Sequence, residues 1–147
     1  PPRDPVNALL SFLYSVLGKD ISGALQSVGL DPQVGFLHAD RPGRDSLAQD
    51  LLEEFRAWWV DRMTLSLINR GQIRLQDFSA EAGGAVNIKP EARKLLFQTL
   101  QAKKQEKIVH PYLQEEVEIG LLPHIQAMLL ARHLRGDLAE YPPFLMR

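Results

Sequence analysis

The 147-residue chain has no cysteine. That excludes a disulfide framework, a thiol nucleophile and any zinc or iron–sulfur site held by cysteine. Long apolar runs are missing as well, and nothing approaches the roughly 18 consecutive apolar residues of a membrane-spanning helix. Net charge is nearly absent: 17 Lys+Arg against 18 Asp+Glu leave −1. A chain that coats nucleic acid by its overall field is excluded, but a local basic patch is not. The start, Pro1-Pro2-Arg3-Asp4-Pro5, has neither an initiator Met nor a signal-peptide apolar core, and reads as a piece of a longer chain in a reducing, cytoplasmic setting. HExxH, Walker A, GxGxxG, EF-hand and GxSxG motifs are all lacking.

What is present is an apolar content of 45%, enough for one domain with a real core. Helical spacing dominates. Asp4-Pro5 reads as a cap and first helical position, after which Val6, Leu9, Leu10, Leu13, Val16 and Leu17 recur at spacings of three and four. Ile21, Ala24, Leu25 and Val28 carry the stripe past Gly18, and Gly29 followed by Pro32 predicts its stop. A second helix is predicted from Asp45-Ser46 to about Arg70. Its first half is amphipathic (Ala48, Leu51, Leu52, Phe55, Trp58, Trp59). Its second half (Val60, Met63, Leu65, Leu67, Ile68) is apolar nearly all round, as in a helix buried within a bundle.

Weak alternation over residues 73–88 predicts a minor β-ribbon. Pro90-Glu91 opens a helix that carries Lys103 and Lys104, His110-Pro111 marks a break, and a last helix is predicted from about Val117 to Arg135 with Gly136 as its stop. Pro142-Pro143 keeps the tail extended. The fold class is therefore all-α, one multi-helix domain over 1–147 with a small β-ribbon.

The irregular stretch 30–45 gathers His38, Asp40, Arg41 and Arg44. Asp50 and Glu53, three residues apart on the following helix, share a face that the periodicity turns away from the Leu52/Phe55/Trp59 stripe. An imidazole with one or two carboxylates suits Mn²⁺ or Mg²⁺, but two protein ligands are too few and another donor is needed. Arg41 and Arg44 offer guanidinium groups to phosphate oxygens. Ordinary readings compete: a loop histidine that only hydrogen-bonds, acids that complement a helix dipole, and a Lys103-Lys104-Lys107 cluster that is a solvated helix face. His110, His124 and His133 read as structural, and Trp58 and Trp59 as core.

The run DPVNALLSFLYSVLGKDISGALQSVGLDPQVGFLHADRPGRDSLAQDLLEEFR resembles the C-terminal helical domain of the CRISPR-associated spacer-acquisition integrase–endonuclease. The pattern is N-x-x-L-S-x-x-Y, then GLDP-x-x-GFLH, then R-x-G-R-x-SL-x-x-DL-x-E-x-FR. NRGQIRLQDF, a Gly-Gly before a basic helix, and the GLLPHIQAMLLARHLRGDLAEYPPF tail continue it, the tail in the manner of the type I-C branch.

The resemblance implies a metal-dependent phosphoryl transfer that joins new spacer DNA to the CRISPR array, with Mn²⁺ or Mg²⁺ as cofactor. It places metal ligands at His38 and Glu53, with Asp50 as a supporting acid. Arg41, Arg44, Lys103 and Lys104 become candidate DNA contacts. The implied partners are double-stranded DNA, a second copy of the full-length protein, and a small companion Cas protein, with a trimming Cas nuclease commonly supplied in type I-C systems. No membrane is involved, and the location is the prokaryotic cytoplasm. A further Glu ligand, expected on a helix upstream of Asn7, and an N-terminal dimerising β-domain have no match in this chain.

The rival reading is a non-catalytic helical module that docks protein partners. It predicts His38 and Glu53 in separate environments, where the metal reading predicts their convergence. From the missing glutamate it follows that these 147 residues alone bind Mn²⁺ weakly and give little or no strand transfer. A DNA-joining assay in which they match the full-length protein would overturn that expectation.

Overall fold

The computed structural model describes residues 1–34 and 46–146. Helix α1 (Pro5–Ser27) begins where Asp4, in extended backbone conformation, accepts the Asn7 backbone N–H at 2.9 Å while Pro5 occupies the first turn. Ala8, Leu9, Leu13, Leu17, Ile21 and Leu25 are buried along one stripe, and neither Gly18 nor Gly23 interrupts the helix. Gly29, at φ +83, ends it. Its N–H reaches Gln26 O (3.0 Å) and the Leu30 N–H reaches Leu25 O (2.9 Å), the paired closure that a left-handed residue makes possible. The same pairing closes the last helix at Gly136, at φ +87, as the sequence predicts.

By length and composition α1 could cross a bilayer, with a mean hydropathy of 1.2 in its most apolar window. Here it is the core helix. It packs against α2 (Ser46–Phe55), a π-helical turn (Arg56–Asp61), α3 (Arg62–Asn69), strand β2 (Val86–Ile88) and α5 (Leu122–Leu134). The twelve largest fully buried side chains include Leu9, Leu17, Ile21 and Leu25 of α1, Phe55 and Trp59 from the second helical stretch, and Phe144 of the tail.

The helix expected from Asp45 to Arg70 is present over the described residues, but it widens into the π-helical turn at Arg56–Asp61. Its second half departs from the expectation of burial all round. Met63, Thr64 and Leu67 are buried, whereas Leu65 is 59% and Ile68 38% exposed. Only one face of α3 meets the core, so apolar residues on the other face stay at the surface.

The β-ribbon forms where expected: β1 (Phe78–Ala80) pairs antiparallel with β2, Phe78 opposite Ile88. Helix α4 (Pro90–Gln105) buries Ala92, Leu96 and Leu100. A second ribbon was not legible in the sequence: β3 (Lys107–Val109) pairs with β4 (Glu116–Glu118), Lys107 opposite Glu118. Val117 therefore lies in a strand, and the last helix starts at Leu122, with Pro123 in its first turn, rather than near Val117. The cross-strand Lys107–Glu118 and Lys107–Glu116 neighbours favour the ribbon over an earlier helix start.

Leu17→Ala should lower unfolding free energy by about 2–5 kcal/mol, since it opens a void along the central stripe. Leu65→Ala should change it by no more than about 0.5 kcal/mol. Denaturant unfolding of the two variants checks the contrast.

Candidate active site

Helix α2 begins by docking onto the end of the preceding segment. The Pro32 carbonyl accepts the Leu47 N–H at 2.7 Å and the Ala48 N–H at 3.2 Å, which satisfies two donors of the first helical turn. Ser46, Leu47 and Ala48 are buried there. Asp50 follows at 8% exposure, so it is not on an open face as the periodicity implied. Glu53, one turn on, keeps 42% of its side chain exposed. His38, Arg41 and Arg44 lie outside the described residues, and so does any convergence of His38 with Glu53. Among the described residues, no group of three or more His, Cys, Asp or Glu side chains is placed to hold a metal ion. The two carboxylates do supply the hard oxygen donors that Mn²⁺ or Mg²⁺ takes.

Glu53 belongs to a polar chain that links three elements. Arg56 Nη1 lies 3.4 Å from Glu53 Oε1, and Arg56 Nε donates to the Tyr14 hydroxyl at 3.2 Å. The Tyr14 hydroxyl in turn donates to Asp61 Oδ1 at 2.6 Å. The Arg56 guanidinium also stands 5.4 Å from the centre of the Tyr14 ring, within cation–π range. Burial, with the Asp61 hydrogen bond behind it, raises the Tyr14 pKa and keeps the phenol a donor. Tyr14 from N-x-x-L-S-x-x-Y and Glu53 and Arg56 from E-x-F-R thus meet at one place although α1 and α2 are far apart in sequence.

A second network lies on the other side of α2, and the sequence reading missed it. Among the described residues, Glu54 accepts hydrogen bonds from three donors. The Tyr141 hydroxyl donates to its carboxylate at 2.7 Å from Oε2 and 2.8 Å from Oε1, the Phe144 N–H reaches Oε1 at 2.7 Å, and Gln126 Nε2 reaches it at 3.2 Å. Gln126 Nε2 also faces Tyr141 Oη at 2.8 Å and the Pro142 carbonyl at 3.1 Å.

His110 completes this network. Its Nδ1 accepts the Tyr112 and Leu113 N–H groups, both at 3.1 Å, which leaves Nε2–H to donate to Gln126 Oε1 at 2.7 Å. His110 is structural, as expected. Burial raises the Glu54 pKa against the opposing pull of its hydrogen bonds from Phe144, Tyr141 and Gln126. Burial and the neighbouring Glu54 carboxylate also push the Tyr141 phenol well up. The one clue in the sequence is Gln126, a lone amide inside an apolar helix and fully buried.

On α4, Lys104 is tied to Asp20 of α1 at 2.5 Å and its side chain is only 20% exposed. Lys103 pairs with Glu106 at 3.2 Å. Lys103 also lines a groove of about 700 Å³ whose other cations are Arg62 and Arg70, with Trp58 in its wall. Among the described residues, that groove carries three cationic side chains against one carboxylate, Glu106.

A family model described as CRISPR associated protein Cas1 matches residues 1–102. The chain belongs to the Cas1 family. A Cas1 relative from Chlorobaculum tepidum, named CRISPR-associated endonuclease Cas1 1, is 58% identical over all 147 residues, and the chain spans 43% of that protein's length. Among solved structures, a casposase bound to integration product superimposes with a TM-score of 0.86 at 28% identity, over 98% of this chain and 42% of that one. A partial Cas6-RT-Cas1–Cas2 complex matches with a TM-score of 0.79 at 26% identity, over 99% of this chain and 43% of that one. The Cas1 relationship thus extends over the helical fold described here, including α2 and its acids.

Tyr141 should stay un-ionised when the pH of folded protein is raised to about 10, where a free phenol is half ionised. Tyr141→Phe should therefore leave the tyrosinate absorbance gained between neutral pH and that point unchanged. A loss of amplitude in the variant would show that the Tyr141 phenol titrates normally.

Proposed function

We propose that this chain is the helical catalytic portion of a metal-dependent DNA integrase and endonuclease that joins new spacer DNA to a CRISPR array. The carrying observation is the acid pair of α2, Asp50 and Glu53, set in the D-L-x-E-x-F-R motif of a Cas1 chain whose relatives are named endonucleases. The fold likeness to a casposase bound to its integration product supports DNA as the substrate.

In this reading Glu53 and His38 are metal ligands, and Asp50, largely out of solvent, supports them. The tie between Pro32 and the first turn of α2 favours it, because it brings the chain flanking His38 to the foot of the helix that carries the acids. A further carboxylate comes from chain beyond these 147 residues. The cofactor is Mn²⁺ or Mg²⁺, which when bound supplies Lewis-acid stabilisation of phosphoryl oxygens. A DNA 3′-hydroxyl attacks a phosphodiester at the edge of the repeat. A new phosphorus–oxygen bond forms as the old one breaks, and the severed strand leaves with its own 3′-hydroxyl.

Arg56, held by the Tyr14 hydroxyl that Asp61 in turn engages, keeps a cation beside Glu53 where phosphate charge gathers. Arg41 and Arg44 are proposed backbone contacts. So is Lys103, in the groove with Arg62 and Arg70. Lys104 is the weaker DNA candidate, because Asp20 already engages it. Partners are double-stranded DNA, a second copy of the full-length protein, and a small companion Cas protein, the last in keeping with the Cas1–Cas2 assembly among the fold neighbours. The reaction takes place in the prokaryotic cytoplasm, away from any membrane.

In the full-length protein, His38→Ala and Glu53→Gln should each lower metal-dependent DNA joining by at least about tenfold. In Glu53→Gln the thermal midpoint should hold, because the Glu53 side chain is 42% exposed. Retained joining in either variant overturns the ligand assignment at that position.

A further inference from the structure

We propose that Glu54 is a positioning residue for the Asp50–Glu53 pair: gripped by the C-terminal segment, it fixes the rotational register of α2 just before the helix widens into its π-helical turn. The inference rests on the metal-site reading of α2 given above.

The placement of the groups carries it. Glu54 adjoins Glu53 and lies four residues beyond Asp50, so all three move together when α2 turns about its axis. A slip of one residue rotates every side chain by about 100°. Such a slip is easiest where the i→i−4 hydrogen-bond ladder is already broken, and that break begins at Arg56, two residues past Glu54. Among the described residues, the grip comes from the chain's C-terminal part: the amide of Gln126 on α5, the hydroxyl of Tyr141 and the backbone N–H of Phe144. The stiff Pro142-Pro143 pair sets the spacing that lets Tyr141 and Phe144 reach one carboxylate. The Phe144 ring spans the junction itself, 5.2 Å from Phe55 before the π-helical turn and 5.3 Å from Trp58 within it.

A carboxylate is a poor choice for stability at such a place. Glu54 is largely shielded from water, and among the described residues no cation pairs with it. Burying an acid in that way costs free energy that an apolar side chain would not. Directed hydrogen bonds define an orientation that apolar packing leaves loose. Groups that orient metal ligands through such bonds change metal affinity when they are removed.

The test compares Glu54→Ala, Glu54→Gln and Tyr141→Phe with the wild type in the full-length protein. It reads Mn²⁺ affinity by titration, amide hydrogen exchange over residues 46–55, and thermal midpoint. Glu54→Ala and Tyr141→Phe should weaken Mn²⁺ binding by about tenfold and speed exchange in α2, while Glu54→Gln, whose amide oxygen at the Oε1 position still accepts from Tyr141, Phe144 and Gln126, should stay within about threefold. A lowered thermal midpoint with unchanged Mn²⁺ affinity makes the grip purely structural and overturns the proposal. Loss of Mn²⁺ binding in Glu54→Gln as complete as in Glu54→Ala also overturns it, by making Glu54 a ligand. Wild-type protein that binds no Mn²⁺ overturns the metal reading itself and the inference with it. That result is distinct from wild-type binding that the variants leave intact.

Discussion

The buried stripe of α1 is the constraint on which the other elements depend. Six residues, Ala8 to Leu25, present one apolar face along the helix. The second helical stretch, α5 and the first β-ribbon close over it. Because that stripe is the surface the others share, it sets their relative positions. Tyr14 illustrates the consequence. It lies beside the stripe rather than in it, and its hydroxyl meets Asp61 and Arg56 because hydrophobic packing brings the second helical stretch alongside α1. Non-directional burial does the gross alignment, and hydrogen bonds refine it.

Helix α2 is where the two kinds of interaction divide the work. Its apolar face, with Leu51, Leu52 and Phe55, is buried in the core. Its acids point three ways. Asp50 is buried, Glu53 faces out toward Arg56, and Glu54 is enclosed by α5 and the tail. One short helix therefore holds three carboxylates in three dielectric settings, which is how a single element can offer metal donors and a structural anchor together. The π-helical turn that follows lets the chain move from this polar end to the Trp59–Val60 core contact without a break.

Much of the fold was legible in the sequence because its signals are local. Asp4-Pro5, Gly29, Pro90 and Gly136 act through the conformations and hydrogen bonds of neighbouring residues, and each marks a boundary that the structure keeps. The second ribbon was not legible. Glu116-Val117-Glu118 is too short to show a period, and its pairing with Lys107-Ile108-Val109 exists only once the chain has turned at His110. The burial of α3 was misjudged for a related reason. Leu65 and Ile68 read as core by composition, yet exposure depends on what packs opposite, which the helix itself does not encode. At the site, the motif spacing singled out Asp50 and Glu53 but not the hidden partners of Glu54, which come from residues 126–144.

By itself, then, the sequence determined the helical class, the cysteine-free and nearly neutral chemistry, the helix caps and stops, and the family motif that carries the acids. All of these follow from residue identity and from neighbours within a few positions. Only the tertiary structure decided that Tyr14, Arg56 and Glu53 share one face, that Lys104 is engaged by Asp20, and that the tail closes on Glu54. Those outcomes join residues tens of positions apart. No local spacing can specify them, because they arise from how the apolar stripe of α1 brings distant segments into register.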